Sequence, residues 1–334
     1  MVQTNKVTPI KEKTLESSRA TYDQLFGDVE RYIGYKLKWR GIHTLTYKLI
    51  EDNLDDALVA DIGCGYGRFC LLAAQKARKV VGIEMTAGAV NVARVLTQAA
   101  GMGDRIEIIQ STAEDYTAND GQFDYVVLGG VLEHLMDPSS IIDKIHKMLK
   151  PGGVLISNSP SESNFRGTVS TAFWKLFNFP MTLSDVRVVT KSDMQELADQ
   201  YGFQFEKSVG VAYSRGWGKV AANDLPQRFE NVLQDVFDEV KDIQINQDDF
   251  KSWVRQRTNE NEVLIQDWVQ RDILRSIPSR PNIPLNEDII QGAGLPLEAI
   301  NEFMAPDFSM DPYYSDVEPY NHMGGQTIYF LRKK

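Results

Sequence analysis

Val59-Ala-Asp-Ile-Gly-Cys-Gly-Tyr-Gly-Arg-Phe-Cys70 is the stretch on which the reading of this chain turns. A short apolar strand carrying Asp61 runs into three glycines at alternate positions, and a helical pattern opens at Arg68. Glycine allows a tight turn and a close ligand approach where a Cβ would collide. The spacing of Gly63, Gly65 and Gly67 is G-x-G-x-G, whereas the dinucleotide fingerprint is G-x-G-x-x-G. No Gly-Lys-Ser/Thr follows, which excludes a phosphate-cradling loop of the P-loop kind.

Strand and helix patterns alternate outward from this segment. Strands are expected at Leu58–Asp61, Lys79–Glu84, Ile106–Gln110, Phe123–Leu128, Val154–Asn158, Phe203–Val211 and Gln326–Arg332. Helices are expected at Arg68–Ala77, Ala87–Ala99, Ser139–Leu149 and Ser192–Tyr201, the third stopped by Lys150-Pro-Gly-Gly153. Such alternation predicts an α/β, Rossmann-like fold: seven strands, mostly parallel, with helices on both faces.

A hundred-residue insertion separates the last two strands. Its spacing predicts an amphipathic helix at Leu225–Ile243, a second helical region at Phe250–Ile277, a proline-rich stretch from Pro278 to Pro284, and a helix at Leu297–Met304. The expected organisation is an N-terminal tail with covering helices (1–53), a Rossmann-like core (54–214), a helical cap (215–323) and the final core strand (324–334). The cap holds twenty acidic against ten basic residues, so it carries the whole formal charge of −10. Such a charge argues against a protein that lives on nucleic-acid phosphates. It suits either a solvated surface or a cationic substrate.

The 334 residues, 43% of them hydrophobic and 25% charged, have the composition of a globular protein. No run of about 18 apolar residues suggests a membrane span. Met1–Glu16 lacks the apolar core of a signal peptide. Both cysteines, Cys64 and Cys70, lie in the glycine segment, where a disulfide would staple the loop to its own helix. Free thiols and a cytoplasmic location are therefore expected.

Hydrophobic-Asp-hydrophobic-Gly-Cys-Gly-x-Gly resembles motif I of the class I S-adenosylmethionine (SAM) dependent methyltransferases. Val131-Leu-Glu-His134, Leu149-Lys-Pro-Gly-Gly-Val-Leu-Ile156, Asn158-Ser-Pro160 and Asp185-Val-Arg-Val-Val-Thr190 narrow the resemblance to the ubiquinone-biosynthesis type of small-molecule enzyme. The resemblance covers about residues 20–212 and the final strand, which it implies is antiparallel. It implies SAM as cofactor, held at the carboxyl ends of the strands. Asp61, Gly63, Cys64, Gly65 and Gly67 would hold the methionine portion, Glu84 the ribose hydroxyls, and Met85 the adenine face. Ala113 and Glu114 would address the adenine edge, and the Leu128 carbonyl the amino group. Tyr22 and Arg40 would come from helices covering the pocket, with Arg40 pairing the methionine carboxylate. Gly130 stands where the quinone enzymes carry an acidic residue, so no metal site is expected there.

Methyl transfer to a hydroxyl gains from a general base. His134, after the fourth strand, is the first candidate and His322, beside the last strand, the second; His43 and His146 are expected to be structural. The aromatic run Phe165–Phe179 is expected to line an apolar substrate pocket. The favoured function is methyl transfer to a hydroxyl or carboxyl oxygen of a small molecule. An N-methyltransferase acting on an amine or peptide, and a non-catalytic SAM-binding regulator, are the rivals.

Overall fold

The computed structural model describes residues 29–30, 33, 40–177, 185–226, 247–305 and 312–334. Its strands are β1 (Leu58–Ile62), β2 (Lys79–Glu84), β3 (Ile106–Gln110), β4 (Phe123–Gly129), β5 (Leu149–Pro160), β6 (Phe203–Val211), β7 (Arg275–Ser276), β8 (Tyr313–Ser315) and β9 (Gln326–Lys333). They form one mixed sheet in the order β3-β2-β1-β4-β5-β9-β6-β8-β7. β1 to β5 run parallel, and β9 lies antiparallel between β5 and β6.

Seven strands were expected and nine are present among the described residues. The extra pair, β7 and β8, comes from the insertion and extends the sheet beyond β6. At two and three residues they are too short to show a period. The helix expected to stop before Lys150-Pro-Gly-Gly153 does end there, at Met148, but β5 starts at Leu149 rather than at the expected Val154 and takes in that stretch. The β4–β5 register jumps there, from Phe123↔Leu149 to Tyr125↔Val154, so a bulge absorbs the additional residues. Lys150 fastens it by donating to both oxygens of Asp124, each at 2.8 Å.

Side chains alternate across the sheet, and each face has its own core. On one face Val59, Val80, Val127, Ile156 and Ile328 meet helices Arg40–Ile50, Arg68–Ala73 and Ala87–Ala99. On the other, Ala60, Ile62, Val126, Leu155 and Leu331 meet helices Pro138–Met148 and Lys191–Gln200. The last of these opens with a capping box between Thr190 and Asp193. His146 stacks edge-on against Phe203 at 5.1 Å, and burial lowers its pKa, as suits a packing role.

The described part of the insertion joins these cores. Helix Gln247–Gln270 brings Trp268 against Tyr213, Trp217 and Tyr320. Further on, Ile277, Ile283, Ile290, Ile300, Phe303 and Met304 enter the core behind the glycine loop. Asn286 N–H donates to the Ala99 carbonyl at 2.8 Å. Phe303 meets Tyr66 edge-on at 6.1 Å and lies under the Arg68 guanidinium at 5.3 Å. Residues 227–243 of the expected amphipathic helix lie outside the described residues. Phe165 and Phe173 of helix Phe165–Phe177 pack with Leu225, Val254 and Phe250, so this part of the aromatic run meets the insertion. Among the described residues no helix is long and apolar enough to cross a membrane.

Phe303→Ala tests whether the insertion shares the main core. Truncating a buried phenylalanine costs about 3–5 kcal/mol, so urea unfolding should show a single transition moved by that amount. A loss below about 1 kcal/mol, the scale of a surface change, would mean the insertion docks without joining the cooperative unit.

Candidate functional site

β1 ends in a loop whose three glycines all take left-handed conformations: φ is 76° at Gly63, 55° at Gly65 and 76° at Gly67. Gly63 and Cys64 both donate their N–H to the Ile83 carbonyl, at 2.7 and 3.0 Å, which ties the loop to the end of β2. There Glu84 is buried, and its carboxylate draws the surroundings together. Oε2 accepts the Gly65 N–H at 3.1 Å, while Oε1 accepts the N–H and hydroxyl of Thr86, both at 2.9 Å. A carboxylate offers about four acceptor positions; three are filled, which leaves one for a ligand hydroxyl. Bidentate binding of a ribose diol would displace one of the present donors.

Asp61 is buried below this loop and accepts the Cys70 thiol at 3.4 Å. Both cysteines are free and buried. Their hydrogen bond, burial and the Asp61 carboxylate push the Cys70 thiol well above its usual range. Gly82 makes room for the pair: a Cβ there would lie 2.9 Å from one sulfur and 3.0 Å from the other.

Around the rim, Ser111 N–H donates to the Glu84 carbonyl at 3.0 Å, placing the turn Ser111–Asp115 beside the end of β2. The Thr112 hydroxyl and Asp115 cap one another. Lys144 reaches the Ala113 and Glu114 carbonyls, fixing the turn to helix Pro138–Met148. Ala113, Glu114 and Met85 are half-buried, and Leu128 is buried within β4. Tyr22 lies outside the described residues, as does the side chain of Arg40, whose backbone opens helix Arg40–Ile50.

After β4, Gly130 turns the chain at φ 70° and donates to the Asn158 carbonyl at 3.1 Å. A single 3-10 turn, Leu132–His134, follows. His134 is held between two carboxylates, with Nδ1 3.3 Å from Asp185 Oδ1 and Nε2 4.0 Å from Glu133 Oε1. Glu133 is buried and accepts the Ser159 hydroxyl at 3.0 Å; burial raises its pKa. His322 occupies another 3-10 turn, Tyr320–His322, where Nδ1 lies 3.0 Å from Asn321 Oδ1 and 3.6 Å from Glu318 Oε2. Its carbonyl accepts the Ser161 hydroxyl. Ser159 and Ser161 stand at the carboxyl end of β5, so both histidines sit along that edge.

Two residues gain a place that the sequence did not suggest. Asp185 was visible only as one letter of a pattern, with fifty residues between it and His134. His43, expected to be structural, has Cε1 3.9 Å from a Cβ built at Gly129, which puts it over the carboxyl end of β4 near Asn158. Its helical, apolar neighbourhood in the sequence gave no sign of this.

Residues 60–157 match a family model described as a methyltransferase domain. A probable S-adenosylmethionine-dependent methyltransferase of Mycolicibacterium smegmatis is 25% identical over 184 residues, which cover 55% of this chain and 66% of that protein. The ubiquinone biosynthesis O-methyltransferase of Pseudomonas aeruginosa is 32% identical over 162 residues, 47% of this chain and 68% of that protein. The chain thus spans about two thirds of the length of these relatives. Among solved structures, a SAM-dependent methyltransferase of Methanosarcina mazei is 23% identical and covers 51% of this chain and 91% of its own, with a TM-score of 0.44. Identity of 32% across 68% of an O-methyltransferase is a relationship of descent rather than of one glycine loop: the chain belongs to the class I SAM-dependent methyltransferases and is an enzyme with S-adenosylmethionine as its cofactor.

Proposed function

We propose that this enzyme methylates a hydroxyl or carboxyl oxygen of a small molecule, with His134 as the base that takes the acceptor's proton. The observation that carries the reading is the shared wall between the glycine loop and the turn of His134. Val131, just before that turn, lies so near Gly63 that a Cβ there would be 2.5 Å from its Cγ2. A base on this turn is one loop away from the cofactor. The resemblance to ubiquinone biosynthesis O-methyltransferases over 47% of the chain points to oxygen as acceptor.

The residues present suit the cofactor. Left-handed glycines leave space along the loop, and Glu84 keeps one acceptor position open at the end of β2. In this reading Asp61, Gly63, Cys64, Gly65 and Gly67 bind the methionine portion, Glu84 the ribose, Met85, Ala113 and Glu114 the adenine, and the Leu128 carbonyl the amino group. Tyr22 and Arg40 of the N-terminal segment are assigned to the same site on the resemblance alone. Bound SAM supplies an activated methyl on a sulfonium. The protein's task is alignment, worth about 7–11 kcal/mol, and removal of the acceptor's proton, worth roughly 10²–10⁴-fold.

We assign residues 54–214 and 324–334 to the cofactor-binding core and 215–323 to a cover on the substrate side. That cover is supported by its two anchorages on the core: Phe303 on Tyr66 at the glycine-loop side, at 6.1 Å, and Trp268 on Tyr213, at 6.3 Å. His322 is the second candidate base. A cytoplasmic location is supported by the free, buried thiols of Cys64 and Cys70.

Incubation with methyl-labelled SAM and fractionated cell extract should place the label on the oxygen of a small metabolite. His134→Ala should lower kcat by about 10²–10⁴-fold while the KM for SAM stays within about threefold. Full turnover in both His134→Ala and His322→Ala would replace this reading with transfer to an amine, which needs no base.

Glu84→Gln keeps the shape of the side chain but turns an amide NH₂ toward groups that are themselves donors. Leaving such groups unsatisfied costs about 1–3 kcal/mol, so calorimetry should find SAM bound roughly ten- to a hundredfold more weakly. Unchanged affinity would place the cofactor elsewhere.

A further inference from the structure

We infer that Asn158 and Gln326 line a subsite that holds a neutral hydroxyl of the methyl acceptor. The inference rests on the reading of this enzyme as acting on a small molecule and adds the side chains that recognise that molecule.

Both amides stand where the strand pattern calls for core side chains. On β5, Val154 and Ile156 belong to the core on the glycine-loop face, and Asn158 is next on that face. On β9, Phe330 and Ile328 belong to the same core, and Gln326 is next. Asn158 pairs with Ile328 and Pro160 with Gln326, so the two amides are diagonal neighbours on one face at the carboxyl edge of β5. Cβ atoms so related lie about 7 Å apart, a span that one small polar group can bridge between two converging side chains.

Asn158 is 5% exposed and Gln326 6%. Gln326 Oε1 is buried with no hydrogen-bond partner among the described residues. The Asn158 carbonyl accepts the Gly130 N–H, but its side-chain amide forms no hydrogen bond among the described residues. An amide buried without a partner costs stability, and buried polar groups are with few exceptions satisfied. Two exceptions side by side, at the end of the sheet where the fold binds its ligands, mark a place that a ligand completes.

Gly129 provides the opening. β4 runs between β1 and β5 inside the sheet, yet Gly129 at its end is only half-buried. A Cβ built there would have Asn158 Nδ2 at 3.7 Å and His43 Cε1 at 3.9 Å as its nearest neighbours. With glycine at this position there is room beside the Asn158 amide, bordered by His43 of helix Arg40–Ile50. Two residues further on, Val131 lies against Gly63, which sets the opening next to the glycine loop.

A hydroxyl both donates and accepts. Its oxygen accepts from Asn158 Nδ2, and its proton goes to Gln326 Oε1. A carboxylate has no proton for Oε1, and an ammonium has no lone pair for Nδ2, so the pair favours a hydroxyl over either. Amides do not titrate near neutral pH; these two bind and orient the acceptor and take no part in moving its proton.

The test uses methyl-labelled SAM with the extract fraction that takes up its label, diluted serially to find the half-saturating concentration for wild type, Asn158→Leu, Gln326→Leu and Gly129→Ala. Each leucine variant should raise that concentration about ten- to a hundredfold. Gly129→Ala, whose methyl fits at ordinary contact distance but occupies the opening, should raise it about tenfold. Calorimetry should find SAM affinity unchanged in all three. The thermal midpoint of the leucine variants should not fall, because they remove unpaired amides rather than bonds. The acceptor, identified by mass spectrometry, should carry a hydroxyl.

An unchanged half-saturating concentration in all three variants means that the amides hold only solvent, and overturns the inference. Weakened SAM binding with unchanged half-saturation overturns it in favour of the cofactor. An acceptor without a hydroxyl overturns it as well. So does a lowered thermal midpoint in both leucine variants with normal half-saturation in Gly129→Ala, which would give the amides to the fold. Label found on a nitrogen of a hydroxyl-bearing acceptor would overturn transfer to oxygen and leave the subsite in place.

Discussion

A buried carboxylate at the end of β2 sets the terms for the rest of the site. Charge taken out of water must be met by donors, and Glu84 is met by three, from Gly65 and Thr86. One donor comes from the glycine loop and two from the entrance to helix Ala87–Ala99, so two connections that could move separately are clamped together. Gly65 can point its N–H inward because it tolerates a left-handed φ of 55°. The paired bonds from Gly63 and Cys64 to Ile83 repeat the same linkage through the backbone. The glycine loop is thus held as a rigid shelf, and whatever ligand reaches Glu84 finds its surroundings already ordered.

The parts of this arrangement that are local in sequence could be read from it. β2, β3, β6 and the helices Ala87–Ala99 and Leu297–Met304 have the bounds that their apolar runs and caps imply. Buried parallel strands are short continuous apolar runs, and these are hard to miss between glycine and proline signals. The glycine loop and Glu84 were legible for the same reason: each is fixed by its place at the end of a strand. Helix Arg68–Ala73 stops four residues before the expected Ala77, because the chain tightens into turns there.

What depends on distant partners was not legible. β7 and β8 hold so few residues that only the strand beside them defines them. Lys150-Pro-Gly-Gly153 carries the signals of a helix stop, yet the ion pair with Asp124 and the register jump draw it into β5. Asp185 and His43 reach the carboxyl edge only because the fold brings a loop and a helix back over it. Neither has any spacing to His134 or Gly129 that a period could reveal.

Topology also explains why the insertion belongs to this edge. β6 and β9 are antiparallel neighbours, and Val211, the last residue of β6, is paired with Gln326, the first of β9. Any segment inserted between them must leave and return at the carboxyl end of the sheet, where the glycine loop and both histidine turns stand. In class I folds the ligand also sits at that end, so added chain there alters what surrounds the ligand without disturbing the parallel strands that hold it. This insertion uses the position twice over: β8 zips onto β6 and β7 onto β8, while the stretch from Ile277 to Met304 returns across the sheet face to Tyr66 and Arg68. A single continuous segment thereby packs against the glycine loop at Tyr66 and Arg68 and also carries the rim on which His322 stands.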